Sequence, residues 1–105
     1  MRAAALVLMA SCAITPAFAG DAEAGKVKFD TCMGCHGIPS YSNAYPTYDV
    51  PKLGGQHAAY LEAALKAYRS GERSHPTMRA LAGSLTDEDI ADLAAYISQA
   101  PRPAQ

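Results

Sequence analysis

The feature that most constrains this chain is the run Cys-Met-Gly-Cys-His at positions 32–36. Residues three and four positions apart share one face of a helical turn. Cys32, Cys35 and His36 can therefore all reach one flat group that lies against that face. The C-x-x-C-H pattern is typical of covalent c-type haem, in which both sulfurs bond to the porphyrin edge and the imidazole binds the iron. We expect haem c, with its iron, as the cofactor.

Two other functions for a thiol pair are a redox disulfide and a zinc site. A thioredoxin-like C-x-x-C needs a βαβ context, which this chain lacks. Zinc normally takes four ligands, and the third cysteine, Cys12, lies in an N-terminal leader. His57 and His75 do not form a compact second ligand pair. The histidine directly after Cys35 favours haem over both alternatives.

Residues 1–19 have the pattern of a secretory signal peptide. A basic start at Arg2 precedes an apolar run over 3–10, and the small-x-small pattern that signal peptidase accepts ends at Ala19. We predict cleavage after Ala19, in a bacterial protein exported to the periplasm. The remaining segment, 20–105, is the predicted haem-binding domain.

Two alternatives to this cleavage remain open. An uncleaved membrane anchor needs about 20 mainly apolar residues, and polar residues interrupt the run between positions 11 and 16. Lipoprotein processing at Cys12 would need a lipobox, but Met9 stands where leucine is usual. We expect no stable membrane insertion after removal of the signal.

Length and charge bound the function further. The 105 residues allow one domain at most. A formal net charge of −1 does not indicate a basic surface that would bind nucleic acid. The acidic run 87–89 follows Thr86, and Thr86 with Asp89 has the spacing of a capping box. These carboxylates therefore indicate the start of a helix, and no catalytic base is evident. We expect a protein that is not itself an enzyme.

Periodic apolar positions predict an all-α chain with three helices, over 21–35, 56–70 and about 86–100. Stretches rich in turn-forming residues connect them over 37–55 and 71–85. Three short helices bury little apolar surface, and the segment after the leader contains no tryptophan and one phenylalanine. Small cores rarely provide enough stability without a staple or a cofactor. The weak core and the haem motif therefore point to the same cofactor.

The second axial ligand of the iron is predicted to be Met78. The other methionines lie in the leader or, as Met33, inside the haem-binding turn. We place Met78 in a flexible loop between two helices, from which its thioether can cross to the distal face of the haem. His75 is the main competitor as ligand, and a core methionine that fills a gap is the structural alternative. A thioether raises the reduction potential relative to imidazole.

Tyr41, Tyr45 and Tyr48 lie in the first irregular stretch. They are candidates to cover a haem edge or to meet a partner, but packing within a long loop is the simpler interpretation. His57, at the start of the second predicted helix, is expected to be a surface or capping residue rather than an iron ligand.

Beyond the haem motif, the chain resembles class I c-type cytochromes, and most of all a single domain of the cytochrome c4 family. The resemblance covers essentially all of 20–105. The residues that carry it are Ala24-Gly25-Lys26, Phe29, Cys32 to Gly37, Pro51-Lys52-Leu53-Gly54-Gly55-Gln56, Tyr60-Leu61, the run 65–73, Met78 and the run 85–97.

The resemblance implies a small cytochrome c fold, with three main helices and long loops around one covalently bound haem. In this fold the first and last helices cross near Gly25 and Phe29. The Pro51 carbonyl accepts the proton of the His36 imidazole, a bond that orients an iron ligand. Met78 falls where the family has its axial methionine.

The chain also departs from that family. Typical c4 proteins carry two such domains where this chain has one, and the stretch 41–48 is longer and more aromatic than expected. We expect a soluble periplasmic monohaem carrier that passes single electrons between respiratory or oxidative redox proteins by transient docking. Lys52, Arg73 and Arg79 are candidates to steer that docking.

Two other functions remain open. One is a haem subunit bound tightly to a periplasmic dehydrogenase or oxidase complex, which would present a larger exposed apolar patch. Gel filtration of the native protein distinguishes it from a free carrier. The other is a haem sensor or a peroxidase-like enzyme, which requires an open or displaceable sixth position on the iron.

Overall fold

The computed structural model describes residues 20–37, 42–44 and 47–101. The predictions made for the leader 1–19, including Cys12, and for Tyr41 and Tyr45 lie outside this part of the chain. The described residues are mainly helical, as predicted. Their elements, in chain order, are α1 (Ala22–Lys28), α2 (Asp30–His36), β1 (Ser42–Ala44), β2 (Thr47–Asp49), α3 (Ala58–Ser70), α4 (Pro76–Ala82) and α5 (Asp87–Gln99).

The first predicted helix is divided at Phe29 into α1 and α2. Phe29 keeps right-handed helical angles, with φ −69° and ψ −14°. Its N–H donates to the Gly25 carbonyl at 2.9 Å, and its own carbonyl accepts the N–H of Cys32 at 2.8 Å. The backbone therefore passes from one helix to the next with its hydrogen bonds satisfied, and Phe29 is the cap of both.

The prediction of an irregular stretch over 71–85 is wrong, because it contains α4. Pro76 occupies the first turn, where its missing N–H costs nothing and its fixed φ favours a helix. The side chain of His75 accepts the N–H of Met78 and caps the helix. Met78 therefore lies in a helix and not in the flexible loop that we predicted for it.

The stretch 37–55 also contains structure that the sequence pattern does not predict. Strands β1 and β2 form an antiparallel pair in which Asn43 lies opposite Tyr48. The hydroxyl of Ser42 donates to Asp49 at 2.5 Å across the pair. Three-residue strands are too short to show an alternating pattern in the sequence, which explains why they were not expected.

The core lies where α5 packs against α1 and α3. Gly25 is buried on α1, and a Cβ at this position would overlap the backbone of α5 at Asp92. The two helices therefore cross at Gly25, as the family resemblance implies. The buried apolar cluster between α3 and α5 consists of Leu61, Leu93, Ala94 and Ile97.

Helix α5 begins at the predicted capping box. The Asp89 N–H donates to Thr86 Oγ1 at 3.1 Å, and the Thr86 N–H donates to the Asp89 carboxylate at 2.9 Å. Arg69 of α3 donates to the Leu85 carbonyl at 3.0 Å and to the Asp87 carboxylate at 2.6 Å. These bonds hold the start of α5 against the end of α3.

A buried carboxylate joins α1 to α5. Asp92 is 2% exposed. Its carboxylate accepts from Lys28 Nζ at 2.5 Å and from the Asp21 N–H at 2.7 Å. Lys28 also contacts the Asp89 carboxylate at 2.9 Å. These bonds lower the pKa of Asp92, and the Thr86 backbone together with Lys28 lowers the pKa of Asp89 to about 2.

None of the helices in the described part of the chain has the length and apolar composition needed to cross a bilayer.

Replacement of Gly25 by Ala should destabilise the protein by about 1–3 kcal/mol, because the added methyl group forces α1 away from α5. Chemical denaturation measures this change. The matched control is Gly34→Ala in α2, where a Cβ meets no atom within 4 Å. A Gly25 variant as stable as the control would contradict the close crossing.

Replacement of Asp92 by Asn should lower the thermal stability at pH 7, because Lys28 loses one of its two carboxylate partners. A carboxylate with a lowered pKa stabilises the fold above its ordinary value of 3.8, and this stabilisation is lost as the pH falls through the lower folded value. The difference in Tm between wild type and variant should therefore narrow as the pH falls below about 4. Glu88→Gln, on the exposed side of α5, should show no such narrowing.

Candidate functional site

Helix α2 carries three of the predicted site residues. Cys32 and Cys35 lie one turn apart, both half-buried and both as free thiols. Cys32 packs against the core cluster. Burial raises the pKa of its thiol, an effect partly opposed by the neighbouring Thr31 hydroxyl. The Cys32 side chain therefore lies at the edge of the core, and both thiols belong to the helix that ends at His36.

The imidazole of His36 is oriented by one backbone carbonyl. His36 Nδ1 lies 2.8 Å from the Pro51 oxygen. Because a carbonyl oxygen only accepts, Nδ1 carries the proton and the lone pair of the neutral ring lies on Nε2. This is the bond that the family resemblance implies. It leaves Nε2 ready to bind a metal ion, with the ring held in one direction.

The loop that supplies the Pro51 carbonyl is itself attached to α5. The Gly55 N–H donates to the Ile97 carbonyl at 3.0 Å, and Gly55 has a φ of 77°, which favours glycine. The Gln56 N–H donates to the Leu53 carbonyl at 3.1 Å and closes the turn. The orientation of the His36 ring therefore depends on the core helix α5.

An open cavity of about 280 Å³ lies beside the imidazole. It is bounded by α2, the 53–54 turn and the end of α5. The rings of Phe29 and Tyr96 stack in a tilted arrangement, with centroids 5.4 Å apart, and form one wall. The remaining lining residues include His36, Leu53, Gly54 and Ile97. Apart from the imidazole, this wall is largely apolar.

Met78 lies in a different part of the structure. It is a half-buried residue in the first turn of α4, and α4 packs on α3. Among the described elements, α2 contacts α1, whereas no contact joins α2 to α4. The structure therefore groups Cys32, Cys35 and His36, and it places Met78 on a separate helix.

His75, the competing ligand, has a role that the sequence did not reveal. Its Nδ1 accepts the Met78 N–H at 3.3 Å. Because a backbone N–H only donates, the neutral ring carries its proton on Nε2. The ring also makes T-shaped contacts with two tyrosines, Tyr48 with a centroid distance of 4.7 Å and Tyr68 with 6.2 Å. In this tautomer neither nitrogen of His75 offers a lone pair to a metal ion.

The other predicted candidates have simple surroundings. His57 occupies the N-cap position of α3, is exposed and makes no side-chain capping bond. Tyr48 packs on His75 and its hydroxyl donates to Thr77 Oγ1 at 3.3 Å, in agreement with loop packing. Lys52 is exposed in the loop after Pro51.

A second open cavity, of about 530 Å³, lies between the end of α3 and α4. Its lining includes Arg73, His75 and Arg79, which make it the more basic of the two cavities. The Arg73 guanidinium lies 4.8 Å from the Tyr68 ring centroid and donates to the Tyr60 hydroxyl at 3.4 Å. The sequence showed these residues only as scattered basic positions.

The donor set fits haem c better than zinc. Two thiols and an imidazole with a free Nε2 occupy one face at the end of α2, beside an apolar wall. Within residues 20–37, 42–44 and 47–101, no group of three or more His, Cys, Asp or Glu side chains is placed to hold a bare metal ion. The thiols therefore match thioether attachment to a porphyrin, with the imidazole directed at its metal.

Comparisons with known proteins agree with this chemistry. The family described as cytochrome c matches residues 22–101. Cytochrome c-554(548) of Halomonas halodenitrificans is 51% identical over 83 residues, covering 76% of this chain and 96% of that protein. Cytochrome c4 of Pseudomonas aeruginosa is 40% identical over 80 residues, covering 76% of this chain and 38% of that protein.

A solved structure confirms the fold. Reduced recombinant cytochrome c4 from Pseudomonas stutzeri superimposes with a TM-score of 0.62 at 31% identity, covering 80% of this chain and 53% of that one. The chain thus spans about half of that structure. The predicted small cytochrome c fold and the resemblance to the c4 family are confirmed.

Proteins of this family carry covalently bound haem c and act as electron carriers to redox partners. The predicted cofactor and the predicted electron transfer are therefore confirmed at the level of the family. On its motif, its fold and its relatives, the chain belongs to the cytochrome c family and is a c-type cytochrome for electron transfer.

Proposed function

We propose that this protein is a periplasmic monohaem carrier in which Cys32 and Cys35 bond to the haem and His36 and Met78 bind its iron. The observation that carries the proposal is the His36–Pro51 bond of 2.8 Å at the end of the helix that presents both thiols. It orients the imidazole on the helix that also carries both thiols. The chain contains one C-x-x-C-H motif and hence binds one haem.

Each residue has a separate task in this proposal. Cys32 and Cys35 would hold the porphyrin edge through their sulfurs, and His36 Nε2 would bind the iron, while the Pro51 carbonyl restrains rotation of the imidazole. The wall of Phe29 and Tyr96 excludes water from the histidine side. When bound, haem c supplies the one-electron couple of its iron.

The geometry of α4 supports Met78, rather than His75, as the second ligand. The Nδ1 of His75 accepts the Met78 N–H, so its lone pair is occupied and Nε2 carries a proton. The thioether of Met78 bears no proton and requires no change of tautomer. Among the described elements no contact joins α2 to α4, as the proposal requires if the haem lies between them.

Electron transfer requires little rearrangement in such a site. Two protein ligands stay bound in both oxidation states, and no substrate bond is made or broken, so this protein is proposed not to act as an enzyme. Partners are redox proteins that dock transiently. Exposed basic residues, among them Arg73 and Arg79, are suited to guide an acidic partner.

Replacement of Met78 by Ala should lower the reduction potential and allow the ferrous protein to bind carbon monoxide, because the thioether no longer occupies the sixth position. Redox titration and absorption spectra measure both effects. The matched control is Met33→Ala, since Met33 is exposed between the two cysteines. It should retain the potential of the wild type.

Two results would contradict the assignment of Met78. The first is an unchanged potential and spectrum in the Met78 variant. The second is equal changes in the Met78 and Met33 variants, which would indicate a general effect of losing a methionine.

The location is tested by the mass of the exported protein. In a bacterial host that matures c-type cytochromes, the periplasmic fraction should contain residues 20–105 plus one haem, because cleavage after Ala19 removes the leader. Intact-mass spectrometry distinguishes this product from the full chain and from a lipidated form that begins at Cys12. Either of the latter masses as the main species would overturn the processing proposed here.

A further inference from the structure

The first turn of α4 depends on the side chain of one histidine. Helix α4 has seven residues, and helices of this length are not stable on their own. His75 Nδ1 accepts the N–H of Met78 at 3.3 Å. Met78 is the third residue of the helix, so the capping bond ends on the residue that the proposed function makes an iron ligand.

Histidine is an unusual choice for a helix cap, since Ser, Thr, Asp and Asn are the preferred residues. What the imidazole adds is a ring that packs between two elements. Tyr48 of β2 meets it at a centroid distance of 4.7 Å and an angle of 77°, and Tyr68 of α3 meets it at 6.2 Å and 81°. The cap is therefore held in place by the hairpin on one side and by α3 on the other.

The two tyrosines are themselves attached. The Tyr48 hydroxyl donates to Thr77 Oγ1 at 3.3 Å, which ties β2 to the residue next to Met78. The Arg73 guanidinium lies 4.8 Å from the Tyr68 ring centroid and donates to the Tyr60 hydroxyl. His57, the other histidine at a helix start, is exposed and makes no side-chain capping bond. Only one of the two histidines thus has the contacts of a positioning residue.

We propose that His75 is the positioning residue of Met78. Its Nδ1 accepts the Met78 N–H and so holds the backbone of Met78. Its ring contacts Tyr48 and Tyr68, and these contacts link that backbone to the hairpin and to α3. The direction from which the thioether approaches the iron is thereby set. This inference rests on the proposed function, in which Met78 is the sixth ligand. His75 acts through Met78 and does not itself bind the iron.

The test compares His75→Ala with His75→Ser in the holoprotein, because serine restores a capping oxygen and alanine does not. The probe is imidazole, which displaces methionine from ferric haem. The alanine variant should bind imidazole about fivefold more tightly than the wild type, the factor expected for loss of one helix cap. The absorption band of methionine-ligated ferric haem should weaken, and the reduction potential should fall. The serine variant should lie between the alanine variant and the wild type, because serine restores the capping oxygen but not the ring between Tyr48 and Tyr68.

Controls separate this inference from the ligation that it assumes. His57→Ala should change neither the imidazole affinity nor the band. Met78→Ala should abolish the band, and its persistence would remove the proposed ligand itself. If Met78→Ala abolishes the band while His75→Ala leaves affinity and band unchanged, Met78 remains the ligand and the role of His75 is overturned. Equal effects of alanine and serine would also overturn it, since the cap would then be irrelevant.

A variant that retains more bulk covers the case in which His75→Ala yields no holoprotein. Glutamine in place of His75 fills part of the space between Tyr48 and Tyr68 but is not a preferred helix cap. His75→Gln should then bind imidazole about fivefold more tightly than His75→Ser. Equal affinities of these two variants would overturn the proposal.

Discussion

The crossing of α1 and α5 at Gly25 is the contact on which the rest of the structure depends. It leaves no space for a side chain, and the buried Asp92 carboxylate holds the two helices together through Lys28 and the Asp21 N–H. Helix α2 starts directly from this crossing, because the Phe29 carbonyl accepts the N–H of Cys32. The direction of α2, and with it the position of the two thiols, therefore depends on Gly25 and Asp92.

The same helix α5 determines the other side of the His36 site. The carbonyl of Ile97 accepts the Gly55 N–H, and the loop so attached presents the Pro51 carbonyl to the imidazole. Helix α2, which carries the thiols, and the loop that orients the His36 ring are thus both positioned by α5. This explains how a chain with a small buried core achieves a defined orientation of the His36 ring. Leu53 and Leu65 pack against the core cluster and stay half-buried.

Much of this arrangement could be predicted from the sequence, because its parts have strong local signals. The C-x-x-C-H spacing identifies the cofactor, and the Thr86–Asp89 capping box marks the start of α5. The partner helix at Gly25 and the His36–Pro51 bond came from the family resemblance, since contacts between distant residues leave no local pattern. A glycine inside a helix costs helix propensity, and a close helix crossing explains its presence, but the sequence alone does not indicate which helix crosses there.

The parts that could not be predicted are held by tertiary contacts. Helix α4 is too short for an apolar period to be recognised, and its cap is a histidine, which is not a recognised capping signal. The hairpin has three-residue strands, and Tyr48 joins it to His75 and Thr77. In each case the local sequence favours no particular element, and the residues that stabilise the element lie elsewhere in the chain. The sequence therefore predicts a loop at Met78.

The two proposed iron ligands are consequently supported in different ways. His36 is held by α2 and by a loop that is hydrogen-bonded to the core helix α5. Met78 is held by a seven-residue helix whose start depends on aromatic contacts and two side-chain hydrogen bonds. The two supports therefore differ in kind. A backbone attachment to the core helix orients the His36 ring, whereas side-chain contacts from the hairpin and α3 position the start of α4.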